Sequence, residues 1–239
     1  MSEKADKDNQ TLIDFWDKAL TLSDENKNEI RQSDPESWKE MAPSEKLFEA
    51  AKALGQRKKV LDYGCGSAWA AIIAAKSGCP DVTAVDVAKG GTDAAAFYAA
   101  LFGVEERLHV LHITPDWLES VPAETFDGFI CSNVLDVVPT ETAEAILREA
   151  SRVVTPDAKV MIGLNYYLSP EMAAARGMEL ADGKRLYVDG VLRLVSRCDE
   201  AWAEFFAPYF EVEQLEYFAW PGEKAETRRL FHLTKRSKK

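Results

Sequence analysis

Lys59-Val60-Leu61-Asp62-Tyr63-Gly64-Cys65-Gly66-Ser67-Ala68-Trp69 sets the architecture of this chain. Lys59 to Tyr63 reads as a strand, and the Ala- and Ile-rich run from Trp69 to Ser77 reads as a helix ended near Gly78. Between them, two glycines one residue apart let the backbone turn sharply and come close to a ligand, an approach any Cβ would obstruct. The amide groups that open the helix point into the same space.

Outward from this turn, short apolar runs alternate with helical patterns, the signature of a parallel sheet with crossover helices. Val82 to Val85 is a second strand closing on Asp86, and Thr92 to Phe102 a helix stopped by Gly103. Leu108 to Ile113, Gly128 to Cys131 and Lys159 to Leu164 are the third, fourth and fifth strands. Thr140 is placed to cap a helix whose Ile146, Leu147, Ala150, Val153 and Val154 form a core-facing stripe. Glu211 to Phe218 and Arg229 to Thr234 are two strands joined around Trp220-Pro221-Gly222-Glu223, a link too short for a crossover helix, so they pair antiparallel.

Two segments stand outside this core. Residues 1–57 are helical, with Leu12, Phe15, Trp16, Ala19 and Leu20 on one apolar face and Leu47, Phe48, Ala51 and Leu54 on another. Residues 166–200 contain two β-rich runs around Asp189-Gly190, a strong hairpin signal. Both are expected over the carboxyl edge of the sheet, where open α/β folds bind ligands. The expected organisation is a single domain over 1–239. A helical extension (1–57) leads into a ligand-binding core (58–165), a substrate-side insertion (166–200), and a C-terminal helix and strand pair (201–239).

Bulk composition narrows the partners. The chain has 239 residues, 46% of them hydrophobic and 29% charged, ordinary for one globular domain with a full core. No apolar run approaches the roughly 20 residues that span a bilayer, and the charged start has no secretory apolar core. Cys65, Cys79, Cys131 and Cys198 lie far apart, and His109, His112 and His232 add no metal spacing, so we expect reduced thiols in the cytoplasm and no metal. The formal charge of −11 repels a phosphate backbone; the basic tail Lys235-Arg236-Ser237-Lys238-Lys239 reads as a solubilising end.

The glycine loop admits two ligand classes. A dinucleotide fingerprint needs a third glycine where Trp69 stands, and Asp62 at the strand end is unhelpful beside an anionic pyrophosphate. Asp62 suits a cationic amino group instead. Asp86, 20 residues after Gly66, can accept both hydroxyl hydrogens of a ribose. The ligand expected on these grounds has a ribose and an ammonium but no phosphate.

Here the sequence resembles the class I S-adenosylmethionine-dependent methyltransferases. Their first motif, roughly D/E-x-G-x-G-x-G, is matched by Asp62-Tyr63-Gly64-Cys65-Gly66-Ser67-Ala68, with alanine in the last glycine place. Their fourth, commonly F-D-x-I-x-S-N-x-V-L-E-H, is echoed by Phe126-Asp127-Gly128-Phe129-Ile130-Cys131-Ser132-Asn133-Val134-Leu135-Asp136. The resemblance implies a doubly wound α/β fold: a mostly parallel seven-stranded sheet with an antiparallel C-terminal pair and an N-terminal helical extension. It implies S-adenosylmethionine as cofactor, held by Asp62, Gly64, Gly66 and Ala68 at its methionine part and by Asp86 at its ribose. Asp116-Trp117 falls to the adenine and Asn133 to the sulfonium region.

The expected activity is in-line methyl transfer to a small organic acceptor. Positioning and exclusion of water do most of the work in such a transfer, so no catalytic triad need appear. The alternatives are a cofactor-binding scaffold without turnover and a nicotinamide-dependent oxidoreductase, which Trp69 opposes. On the acceptor side, Tyr166, Tyr167 and Asp136 are the candidates. Successive residues of an extended chain point to opposite sides, so one tyrosine should face the acceptor while the other packs; Tyr167, further beyond the sheet edge, is favoured. Trp117 suits either an adenine wall or ordinary packing, His112 either a base at a strand end or a packed, satisfied histidine, and Cys65 and Cys131 read as small buried apolar groups.

Overall fold

The computed structural model describes residues 2–236, so the last three residues of the basic tail lie outside the described residues. Three helices lead the chain: α1 (Glu3–Leu20), α2 (Asp24–Ile30) and α3 (Glu45–Ala53). Each begins at a serine (Ser2, Ser23, Ser44) whose hydroxyl accepts from an otherwise unpaired backbone N–H of the first turn.

The core then alternates β1 (Lys59–Tyr63), α4 (Trp69–Lys76), β2 (Asp81–Asp86), α5 (Lys89–Leu101), β3 (Leu108–His112), α6 (Trp117–Ser120), β4 (Phe126–Ser132), α7 (Thr140–Val153) and β5 (Val154–Leu164). Next come α8 (Pro170–Ala175), β6 (Arg185–Val188), β7 (Val191–Val195), α9 (Asp199–Phe206), β8 (Phe210–Phe218) and β9 (Arg228–Lys235).

The main sheet has seven strands in the order β3-β2-β1-β4-β5-β9-β8. Its first five strands run parallel, and β9 pairs antiparallel with both β5 and β8. The chain winds outward from β1 to β3 and then returns to β4 on the other side of β1. A crevice therefore opens at the carboxyl ends of β1 and β4, the place where doubly wound sheets take ligands. Apolar layers cover both faces. One joins Phe129, Leu147, Trp202, Phe206 and Phe231 beneath α7 and α9; the other joins Val60, Ile72, Ile73, Ala84 and Leu230 beneath α3, α4 and α5. With both faces buried, β1, β2 and β4 are near-continuous apolar runs rather than alternating ones.

The hairpin forms its own two-stranded sheet. Asp189 (φ 52°) and Gly190 (φ 78°) both take left-handed backbone, the conformation a twist-matched two-residue turn needs. Helix α1 crosses above the crevice and is tied at both ends. Asp17 accepts from the Gly90 amide at 2.6 Å, and Asp8 accepts from the Tyr187 hydroxyl of the hairpin at 2.9 Å.

Three local expectations differ. Thr140 is the first residue of α7 rather than its cap, because Pro139 takes the cap position; the Thr140 hydroxyl instead accepts from Arg197. Strands β4 and β5 extend beyond their apolar centres, since partner strands continue the ladder over polar residues. A short helix, α8, forms in a stretch that reads as merely polar, begun by Ser169 accepting from the Met172 amide.

Candidate active site

A cavity of about 620 Å³ fills the crevice between the carboxyl ends of the strands, α1 and the hairpin. At one end lies the loop after β1. Gly64 has φ +70°, and a Cβ there would sit 2.3 Å from Val134 Cγ2, so glycine is required twice over. The loop hangs from β2: the Gly64 and Cys65 amides both donate to the Val85 carbonyl, at 2.9 and 3.0 Å. Asp86 completes the tether, accepting from the Gly66 amide and the Ala88 amide at 2.8 Å each.

Asp62 is buried below the loop and accepts from the Ala71 amide at 3.2 Å. Burial pushes its carboxyl up to about 7, and nearby Asp86 pushes the same way. The Asp86 carboxyl is raised by burial too, against backbone N–H groups that favour its charge. Neither carboxylate has a Lys or Arg partner among the described residues. Asn133, with left-handed backbone (φ 56°), also lines the cavity, its amide donating to the Gly163 carbonyl at 2.8 Å.

Of the predicted cofactor residues, Asp62, Gly64, Gly66, Asp86 and Asn133 thus come together around one space. Ala68, Asp116 and Trp117 do not line it. Ala68 is fully buried in left-handed backbone at the start of α4, shaping the loop from behind, while Ser67 and Trp69 reach the cavity. After β3 the turn presents Ile113 and Pro115 instead; Asp116 faces Thr114 at the start of α6, and Trp117 packs on the core. His112 does not line the cavity; it bonds the Val87 carbonyl at 3.1 Å but is exposed, so it is neither a base at the site nor a packed core residue.

The acceptor side corrects two expectations. Tyr166 lines the cavity, and Tyr167 lies exposed on the other side beside Asp199 and Tyr217. The alternation is as expected but its phase is opposite, because Asn165 is fixed from both directions. Its amide donates to Asp136 at 2.7 Å, and its carbonyl accepts from Arg229 Nη2 at 2.6 Å. Asp136 itself is fully buried and does not reach the cavity; its carbonyl accepts from the Val195 amide at 2.6 Å, so it fastens the hairpin to the core. Burial raises its carboxyl, with Arg229 opposing.

Sequence reasoning did not find Asn165, Arg193, Trp220 or Arg228, which also line the cavity. Arg193 had a legible signal, a charge at the centre of the apolar run Val191-Leu192-Arg193-Leu194-Val195. Its guanidinium lies 4.2 Å from the ring centre of Phe15 and 5.6 Å from that of Trp16. Arg228 stacks over Trp220 at 3.6 Å and is bound by Glu223 on two nitrogens and by the Asn165 side chain on a third.

Residues 60–157 match the family profile described as a methyltransferase domain. Over this segment the chain is similar to the class I S-adenosylmethionine-dependent methyltransferases. Its glycine loop, Asp86 and Asn133 all fall within the matched segment.

The chain is 28% identical over 156 residues to a ubiquinone biosynthesis O-methyltransferase of Neisseria meningitidis serogroup C (strain 053442), covering 63% of this chain and 58% of the relative. Over 78 residues it is 41% identical to a ribosomal protein L11 methyltransferase of Janthinobacterium sp. (strain Marseille), covering 32% of this chain and 23% of the relative. It spans less than two thirds of either. Its fold is similar to that of Burkholderia thailandensis 1,6-didemethyltoxoflavin-N1-methyltransferase with bound 1,6-didemethyltoxoflavin and S-adenosylhomocysteine. That likeness has a TM-score of 0.62 at 21% identity and covers 85% of this chain and 82% of the other.

Proposed function

We propose that this chain transfers the methyl group of S-adenosylmethionine to a small organic acceptor held beneath α1 and the hairpin. One observation carries the reading: the glycine-loop end of the cavity holds two buried carboxylates and no counter-charge among the described residues. Buried carboxyls without a counter-charge are costly to ionise, and a ligand bearing an ammonium and hydroxyl donors offsets that cost. A pyrophosphate would add to it. S-adenosylmethionine, when bound, supplies a methyl group already activated on a sulfonium.

The chain's own residues then bind and orient. Asp62 takes the ammonium, Asp86 the ribose hydroxyls, and Ile113 with Pro115 offers apolar walls to the adenine in place of Asp116-Trp117. Tyr166 and Trp220 flank the acceptor. At that end the described lining residues include no carboxylate and no histidine, so the protein contributes positioning and exclusion of water rather than a base. A cavity of about 620 Å³ favours a small molecule, and the charge of −11 disfavours nucleic acid. No described helix is long and apolar enough to cross a membrane. The four free cysteines agree with a reducing, cytoplasmic setting.

Thermal shift tests the cofactor reading. S-adenosylhomocysteine is expected to raise the melting temperature, adding about 2.7 kcal/mol at a hundredfold excess over Kd, while NADH and ATP leave it unchanged. Stabilisation by NADH alone refutes the proposal.

The Asp62 carboxyl gives a second, independent expectation. Its folded value is raised from 3.8 to about 7, so the free protein holds a proton that the unfolded chain has lost. Stability from this group is therefore lost as pH rises through that interval. An ammonium ligand favours the carboxylate, so S-adenosylhomocysteine should bind with release of a proton below neutral pH, and its affinity should fall as pH drops below 7. Calorimetry in buffers of different ionisation enthalpy reads the proton directly. In Asp62→Asn the release should vanish; a release unchanged in that variant assigns the proton elsewhere.

A further inference from the structure

The cavity is lined by side chains of both charges. Asp62 and Asp86 sit at the ends of β1 and β2, whereas Arg228 begins β9 on the other half of the sheet and Arg193 projects from β7 of the hairpin. The two guanidiniums are not equivalent. Arg228 is nearly fully buried and neutralised by Glu223, leaving it a structural cation that holds Trp220 and Asn165 in place.

Arg193 is half-buried and, among the described residues, has no ion pair and no hydrogen bond. Its contacts are the faces of Phe15 and Trp16. Stacking on two aromatic rings fixes the plane of the guanidinium but satisfies none of its five N–H donors. The result is a preoriented cation facing a cavity whose walls include the apolar side chains of Leu186, Leu194, Val138 and Trp220. In such a setting a charge-assisted pair is worth more than at the open surface.

We propose that Arg193 is the anion partner of the acceptor: a planar, apolar molecule bearing one anionic oxygen group, a carboxylate or an ionised phenol. This rests on the methyltransferase reading and deepens it. The flat aromatic side chains Tyr166, Trp16 and Trp220 suit a planar body, and Arg193 supplies the bidentate donor that an oxyanion accepts. An acceptor that arrives ionised also has no need of the base that this end of the cavity lacks. In a chain of net charge −11, a cation left unpaired beside the active site selects for charge the rest of the surface repels.

The test uses three probes of similar shape on the full chain saturated with S-adenosylhomocysteine: 2-naphthoate, 4-nitrophenolate at a pH where it is ionised, and neutral 2-naphthamide. Calorimetric affinities are compared for the native protein, Arg193→Gln and Arg193→Lys. The native protein should bind at least one anion about 10- to 100-fold more tightly than the amide, and the stronger of the two names the group as carboxylate or phenolate. Arg193→Gln should erase that preference while leaving amide binding intact, and Arg193→Lys should restore part of it. Equal binding of all three probes by the native protein, or a preference that survives in Arg193→Gln, overturns the proposal. So does loss of amide binding together with the anions, which would make Arg193 a packing residue. The melting shift with S-adenosylhomocysteine is read on the same three proteins, so a failure of the methyltransferase reading shows separately from a failure at Arg193.

Discussion

Asp86→Ala is expected to weaken S-adenosylhomocysteine binding by about 100-fold or more, because the carboxylate holds both the ligand and the loop that meets it. Hydrogen bonds to a charged group contribute about 1.5–3 kcal/mol each, and about 1.4 kcal/mol is a tenfold change in affinity. Losing the ribose contacts alone accounts for a drop of 10- to 100-fold. The structure adds a second loss: Gly66 and Ala88 amides, each donating to Asp86 at 2.8 Å, are left without their acceptor, and the glycine loop is freed from β2. Asp86→Asn separates the two contributions. Its amide nitrogen meets a backbone N–H on one side, so one tether should fail while the volume is kept, and the loss should be intermediate. Calorimetry on variants whose circular dichroism is native provides the measurement. Unchanged affinity in a folded Asp86→Ala removes this residue from the binding site.

Arg229→Leu should be the most damaging substitution for stability. Arg229 is 1% exposed, and its guanidinium donates to the Asn165 carbonyl at 2.6 and 2.9 Å, to the Arg197 carbonyl at 2.7 Å and to Asp199 at 3.2 Å. A leucine fills much of the space but leaves the Asn165 and Arg197 carbonyls without this donor and takes from Asp199 its guanidinium partner, leaving it only the Tyr217 hydroxyl, a change of about 3–5 kcal/mol. For a chain of this size that is a fall of roughly 10 °C in melting temperature. The damage should reach function too, since Asn165 sets the phase that turns Tyr166 inward. By contrast Lys89→Ala, which removes an exposed ion pair to Asp93, should leave the melting temperature almost where it was. Urea unfolding of both variants checks the pair; an Arg229→Leu midpoint close to that of the native protein would show that the buried network is dispensable.

The sheet and the loop were legible in the sequence because their causes are local. Apolar runs of strand length, helical spacing in residues 140–154 and glycines at 64 and 66 state their conformations within a few residues of themselves. Asp62 and Asp86 were readable for the same reason, each terminating a strand next to that loop. The Asp189-Gly190 turn needed only its own two residues to declare the hairpin.

Tertiary structure decided the rest, because it turns on what each segment meets far along the chain. Thr140 looked like a cap until Pro139 took that position and Arg197, 57 residues away, engaged its hydroxyl. Asp116-Trp117 lies off the cavity, which Ile113 and Pro115 line instead, because Trp117 begins α6 and Asp116 precedes it. Tyr166 and Tyr167 are equivalent by composition, and only the anchoring of Asn165 between Asp136 and Arg229 chooses which ring turns inward. Arg193 is one charge in an apolar strand until α1 brings Phe15 and Trp16 against it from nearly 180 residues upstream. Sequence by itself determined most of the backbone conformation and the glycine-loop residues Asp62, Gly64, Gly66 and Asp86 that line the cavity, through propensity and short-range spacing. The acceptor end was decided by side-chain direction, which is set by register and long-range packing that no local pattern contains.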